Sequence, residues 1–118
     1  MWSYVFLLFL VCTIITVFLH WLFYDFLIKI ESTRFLLDWA KDGKPIGMFH
    51  TPPDAPSFRG SVSRNRKMIK WIFQKPNWVL KDEKAERFYK YFRIAGTVYI
   101  SLIVLFAVSF VVIFLIQP

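Results

Sequence analysis

Residues 2–24 read WSYVFLLFLVCTIITVFLHWLFY, an apolar stretch without a formal charge. A second stretch of this kind, residues 94–116, reads IAGTVYISLIVLFAVSFVVIFLI. Each has 23 residues, and about 20 residues of α-helix are enough to cross the hydrocarbon core of a bilayer. The sequence therefore predicts two transmembrane helices.

The first stretch could instead be the apolar core of a cleaved signal peptide. A signal peptide has a basic segment before a shorter apolar core, and small residues at its cleavage site. These features are missing here, so a retained signal anchor is favoured. The second stretch is too apolar for the core helix of a soluble domain, because the 69 residues between the two stretches are too few to bury it.

The basic residues lie between the two stretches. The chain has 15 Lys and Arg against 8 Asp and Glu, a net charge of +7, and every Lys and Arg falls between Lys29 and Arg93. Cytoplasmic loops of membrane proteins are enriched in Lys and Arg. We therefore expect a helical hairpin with both termini outside. Residues 1–28 form the first transmembrane helix, residues 29–81 a basic cytoplasmic loop, and residues 82–118 a helix that continues into the second span.

The composition excludes several classes of protein. The chain is 57% hydrophobic and 20% aromatic, which is too apolar for a disordered segment. Its single cysteine, Cys12, excludes an intramolecular disulfide and a cysteine-ligated metal cluster. These features predict an all-α integral membrane protein.

The loop is predicted to contain one or two amphipathic helices that lie on the membrane surface. The first covers residues 29–42, where apolar positions recur at helical spacing, and the first transmembrane helix continues or bends into it. A linker rich in Gly and Pro follows over residues 43–61, with no helix. The second helix covers residues 64–75, with Ser61 or Ser63 as its cap.

The helix over residues 64–75 separates apolar from basic side chains. Four apolar residues share one arc, and only Trp71 sits among the bases; the four are Met68, Ile69, Ile72 and Phe73. An amphipathic helix with this charge lies in the interface and contacts anionic headgroups. Alternatively, and compatibly, its apolar face packs on the first loop helix. The candidate headgroup contacts are Arg59, Arg64, Arg66, Lys67, Lys70 and Lys75.

A nucleic acid is the disfavoured partner for these bases. The sequence contains no recognised nucleic-acid-binding motif, and a position at a membrane argues against that ligand. The lipid bilayer is the expected partner.

A single helix is predicted from Asp82 into the second span. Acidic residues at its start suit the positive end of the helix dipole. Glu83 with Arg87, and Glu86 with Lys90, are stabilising pairs four residues apart. The part of this helix that projects from the membrane is a candidate docking surface.

His20 is the one side chain inside an uncharged stretch that can carry a charge near neutral pH, which makes it a functional candidate. Its position near the inner end of the span favours a structural or interfacial role over a hydrogen bond to a partner subunit. Haem ligation by two copies is less favoured still. Small residues in the second span allow close helix packing. The candidate packing or partner contacts are His20, Ala95, Gly96, Thr97 and Ser101.

Few other residues suggest chemistry. Asp25 is explained by an ion pair with Lys29, four residues on. His50 and Asp54 have a spacing that could suit a metal or a general base, but the surrounding prolines favour a surface turn. No nucleophile elbow, phosphate loop or carboxylate pair is present. We expect no enzyme activity, metal or cofactor.

The order of the elements carries a family resemblance. The features are a helix at each end, Leu36-Leu37 in a helical stretch, a Pro/Gly turn, a basic helix around residues 67–72, and Asp82-Glu83 with Arg87 before Arg93. In these features the chain resembles the universal stress protein B family of small bacterial inner-membrane proteins. The resemblance implies an inner-membrane protein linked to stress, without established catalytic residues.

Two functions of different classes fit the sequence. The first is a non-catalytic accessory or structural subunit that packs on and stabilises a larger membrane protein complex. The second is an independent, stress-related membrane protein or homo-oligomer that contacts anionic lipid through its basic loop.

Overall fold

A computed structural model describes the backbone of residues 2–117 and the side chains of residues 3–117. Over this range every regular element is helical. The elements in chain order are α1 (Trp2–Arg34), α2 (Leu36–Lys41), α3 (Ser57–Phe73), a 3-10 helix (Asn77–Lys81) and α4 (Glu83–Ile116).

The two long helices, α1 and α4, lie side by side and antiparallel. At one end the rings of Phe6 and Phe9 in α1 pack on the ring of Phe106 in α4. The centroid of each of the two rings lies 5.8 Å from the centroid of Phe106. At the other end Arg34 pairs with Asp82. Ser3–Arg34 and Glu83–Ile116 are both long and apolar enough to cross a membrane. In each of these two helices, the apolar side chains are exposed over the half of the helix that lies far from the segment connecting α1 to α4.

The segment between the long helices, residues 35–82, folds back against their near halves, and we call it the cap. One hydrophobic core joins the cap to α1 and α4. Its members are Tyr24, Leu27, Ile28, Met68, Trp71, Ile72, Trp78, Val79, Ala85, Tyr89 and Phe92. The core fixes the cap to the hairpin, so the cap is a packed structure rather than a loose loop.

The first long helix extends beyond the predicted span and then bends. It runs to Arg34 and breaks at Phe35, whose φ of −130° and ψ of 57° are not helical. The chain resumes as α2, in which Trp39 is buried and donates its indole N–H to the carbonyl of Pro45 at 2.9 Å.

The predicted start of α3 is wrong. The helix begins at Ser57, inside the segment predicted to contain no helix, and it ends at Phe73. The residue before it is Pro56, and no side chain caps its first turn. Tertiary packing supports that turn instead, because Gly60 packs directly on Ile46. The contact is so close that a Cβ on Gly60 would lie 2.6 Å from Cγ2 of Ile46. Ser63, one of the two predicted caps, donates its hydroxyl to the carbonyl of Gly43.

The start of α4 has a side-chain cap. Asp82 precedes the helix in an extended conformation, and its carboxylate accepts from the backbone N–H groups of Lys84 and Ala85 at 2.9 and 3.1 Å. A carboxylate at this position satisfies donors that the helix itself cannot. Because Asp82 also pairs with Arg34, one residue both starts α4 and ties it to the end of α1.

Candidate functional site

Asp25 holds the turn that follows the buried residues 45–47. Its Oδ1 accepts from the backbone N–H of Met48 at 2.6 Å, and its Oδ2 accepts from those of Phe49 and His50 at 2.8 and 3.0 Å. Gly47 allows this approach, since a Cβ there would lie 2.6 Å from Oδ1 of Asp25. The carboxylate therefore fastens the cap to α1.

The predicted ion pair between Asp25 and Lys29 is wrong. Lys29 is exposed, whereas Asp25 is buried and faces the cap, and no ion pair joins them among the described residues. A local partner four residues away was the simplest explanation from sequence. The real partners lie more than 20 residues along the chain, and no local pattern indicated them.

His20 lies buried between α1 and α4. Its Nδ1 is 3.3 Å from the backbone carbonyl oxygen of Phe92, and its ring stacks on that of Phe92 with centroids 4.4 Å apart. Because a carbonyl only accepts, Nδ1 is the protonated nitrogen in this contact. The structure thus places His20 in a contact within the chain.

The predicted small residues on α4 divide into two groups. Ala95 and Gly96 are buried, whereas Thr97 and Ser101 are exposed. A Cβ on Gly96 would lie 2.8 Å from Cε1 of His20 and 2.8 Å from Cδ1 of Ile72. Gly96 therefore permits the close approach of α1, α3 and α4 at one point.

Replacing Gly96 by valine is expected to destabilise the hairpin by about 1–3 kcal/mol, because the added methyl groups overpack a filled contact. Thermal unfolding in detergent micelles, followed by tryptophan fluorescence, measures the change. The matched control is Thr97→Val on the neighbouring exposed position, which should leave the unfolding temperature unchanged. Equal effects of the two substitutions would contradict the packing described here.

Glu31, Asp42 and Lys67 lie close together, and Glu31 and Lys67 are buried. Glu31 is fully buried, and neither of its carboxyl oxygens has a hydrogen-bond partner among the described residues. Lys67 Nζ lies 3.1 Å from Oδ1 of Asp42. Burial raises the pKa of the Glu31 carboxyl to about 10, and the nearby Asp42 and Asp38 carboxylates add to the rise while Lys67 opposes it. Glu31 is therefore protonated at neutral pH.

The six bases predicted to contact headgroups differ in their exposure and in their partners. Lys67 is buried against Asp42, so its assignment as a headgroup contact is wrong. Arg64 is half-buried. Nζ of Lys75 lies 3.2 Å from Oε1 of Glu86 and 5.6 Å from the ring centroid of Tyr89. The three bases that remain exposed and without a carboxylate partner among the described residues are Arg59, Arg66 and Lys70.

Trp71 lies at the centre of the core, although it was the one residue that broke the predicted segregation of α3. It is 2% exposed and its ring centroid is 5.8 Å from that of Tyr24. The Tyr89 hydroxyl donates to the Trp71 carbonyl at 2.7 Å, and burial raises the pKa of Tyr89. The spacing of Met68, Trp71 and Ile72 was the signal that could have placed this face inward.

The remaining candidates for chemistry lie apart. His50 uses its backbone N–H to bind Asp25, and Asp54 is exposed in a left-handed conformation with φ of 66°. Cys12 is exposed on α1. Across the part of the chain that is described, no group of three or more His, Cys, Asp or Glu side chains could hold a metal ion.

The polar groups just described make contacts within the fold. Most of them connect the cap to α1 or α4. Comparison with protein-family models, curated proteins and solved structures finds no match for this chain. The resemblance to the universal stress protein B family therefore stays a prediction.

Proposed function

We propose that this chain is a non-catalytic accessory subunit of a larger integral membrane protein complex. In this proposal α1 and α4 span the membrane, the termini lie outside and the cap lies in the cytoplasm. One observation carries it: buried contacts fix the near halves of α1 and α4, while the far halves expose apolar side chains to whatever surrounds them.

The polar contacts of the cap support a rigid hairpin. Tyr24 donates its hydroxyl to the Ile46 carbonyl at 3.3 Å, in addition to the contacts of Asp25, Tyr89 and Asp82. Buried hydrogen bonds of this kind specify one arrangement, because a shifted arrangement would leave buried groups unsatisfied. The two long helices are thus held at a fixed separation, as a partner-binding surface requires.

The far halves of α1 and α4 form a groove of about 440 Å³ between them. Aromatic side chains line it, chiefly Phe6, Phe9, Phe106 and Phe110. Lipid tails are as apolar as these side chains, so helix association in a membrane depends on close packing and shape rather than on burial from water. A transmembrane helix of a larger protein is the occupant we propose for this groove.

Site-specific photo-crosslinking in intact cells tests the proposal. A benzophenone amino acid at Phe106, in the groove, should yield one discrete adduct with a larger membrane protein. The control probe at Val108 lies about 200° around the same helix and should yield far less of it. Adducts only with lipid, or only with a second copy of this chain, would contradict the proposed role.

A further inference from the structure

The face of α3 that points away from the core carries a stripe of large apolar side chains. At 3.6 residues per turn its four members fall within an arc of about 60°. Their exposed fractions are 82% for Phe58, 44% for Val62, 61% for Ile69 and 74% for Phe73. The core of the chain does not use these side chains, so the stripe is free to contact something else.

A different face of α3 faces the interior. Lys67 pairs with Asp42, and Met68, Trp71 and Ile72 belong to the core. The stripe lies about 150° around the helix from Lys67. Glu31 lies in the last turn of α1, which ends at Arg34, and Asp42 is close to it. Both therefore lie toward the end of the hairpin that is remote from the apolar spans. The stripe therefore points toward the side where those spans begin.

Two contacts place the cap at the level where the apolar spans begin. Cδ1 of Ile72 lies 2.8 Å from the position of a Cβ on Gly96, beside His20. The exposed ring of Phe49 lies on the exposed ring of Phe18 in α1, with centroids 5.9 Å apart. If α1 and α4 cross a bilayer, α3 and the turn before it reach the bilayer surface.

The charges along α3 complement an anionic surface. Arg59, Arg66 and Lys70 follow one edge of the stripe, within about 60° of it. They are exposed, and α3 contains no acidic residue from Ser57 to Phe73. A second copy of this chain would bring the same three positive charges to the stripe, which disfavours a symmetric contact between copies.

We propose that α3 lies in the surface of the membrane leaflet on the cap side, with its stripe among the acyl chains and its three bases on anionic phospholipid headgroups. The proposal rests on the chain spanning a membrane, as put forward above. Helices with an apolar face and a basic edge bind in this way, and they bind anionic lipid more strongly than neutral lipid.

Spin-label accessibility in proteoliposomes tests the proposal on the full-length chain. Cys12 is replaced by serine, and a single label is attached through Phe73→Cys or, as the matched control, Gln74→Cys on the adjacent exposed position. In vesicles of phosphatidylcholine with phosphatidylglycerol, the label at position 73 should be reached by oxygen and shielded from a water-soluble nickel complex. The label at position 74 should be reached by the nickel complex.

A label at Val112, on the far half of α4, separates the two proposals. Shielding from nickel at position 112 but not at position 73 would overturn the location of α3 while leaving the membrane span intact. Access of nickel to position 112 would overturn the span itself. A label at position 73 shielded from both oxygen and nickel would mean that protein covers the stripe, which also overturns the proposal.

The contribution of the bases is measured with Arg59, Arg66 and Lys70 all changed to glutamine. Each base near an anionic surface contributes about a fivefold preference, so losing three should lower the ratio of docked to undocked α3 on the order of 100-fold. The readout is the oxygen-to-nickel accessibility ratio of the label at position 73. Pure phosphatidylcholine vesicles should give the same loss without any substitution. If the chain that keeps all three bases gave the same oxygen-to-nickel ratio in phosphatidylcholine vesicles with and without phosphatidylglycerol, the electrostatic part of the proposal would be overturned.

Discussion

Replacing Asp25 by alanine is expected to lower the free energy of unfolding by about 3–5 kcal/mol, since three backbone donors lose a charged acceptor. The donors are the N–H groups of Met48, Phe49 and His50. Without the carboxylate, the turn they form has no comparable acceptor, and the linker between α2 and α3 should detach from α1.

Thermal unfolding in detergent micelles gives the stability change for Asp25→Ala, with tryptophan fluorescence as the signal. Limited trypsin digestion gives the local change, because Arg59 follows the turn and should be cut faster once the turn is released. The control is Lys29→Ala, an exposed residue whose loss should change stability by less than about 0.5 kcal/mol. Similar losses for both variants would indicate the local ion pair instead of the turn.

The second large effect is a dependence of stability on pH that originates at Glu31. The pKa of this carboxyl is about 10 in the folded chain, against an ordinary value of 4.5. Between those values the folded chain binds one proton more than the unfolded chain. Raising the pH in this window therefore favours unfolding, by about 1.4 kcal/mol per pH unit at most. The loss should begin above pH 4.5 and cease near pH 10.

Glu31→Gln is expected to remove this dependence and to raise stability at pH 8, since the amide keeps the shape of the protonated carboxyl without an ionisable proton. Unfolding temperatures measured between pH 5 and pH 9 test it. Glu86→Gln, at an exposed carboxylate paired with Lys75, is the control and should keep the slope. A stability that rises with pH, or a slope unchanged in Glu31→Gln, would be incompatible with a neutral Glu31.

The long helices could be predicted because their signals are local. Each long helix contains an uncharged run of sufficient length, and neither contains Pro. These two features predict that α1 and α4 are helical whatever surrounds them. Asp82 has the residue type and position of a helix N-cap, and the structure has α4 start directly after it.

The inward face of α3 and the partners of the buried charges could not be predicted in the same way. Lys67 is one of several adjacent bases, and only the approach of Asp42, 25 positions earlier, distinguishes it. The start of α3 at Ser57 depends on Gly60 packing on Ile46, which a propensity argument does not include. Asp25 had a plausible local partner, and the tertiary contact replaced it.

The most direct test of the accessory role is purification of the tagged chain from its native membranes in a mild detergent, with the mass of the intact particle as the measurement. We expect a particle much larger than two copies of a 14.1 kDa chain, containing another integral membrane protein in fixed proportion. Changing Phe9 and Phe106 to alanine should release that protein, whereas Val108→Ala should retain it. A particle that contains only this chain, with or without lipid, would contradict the account.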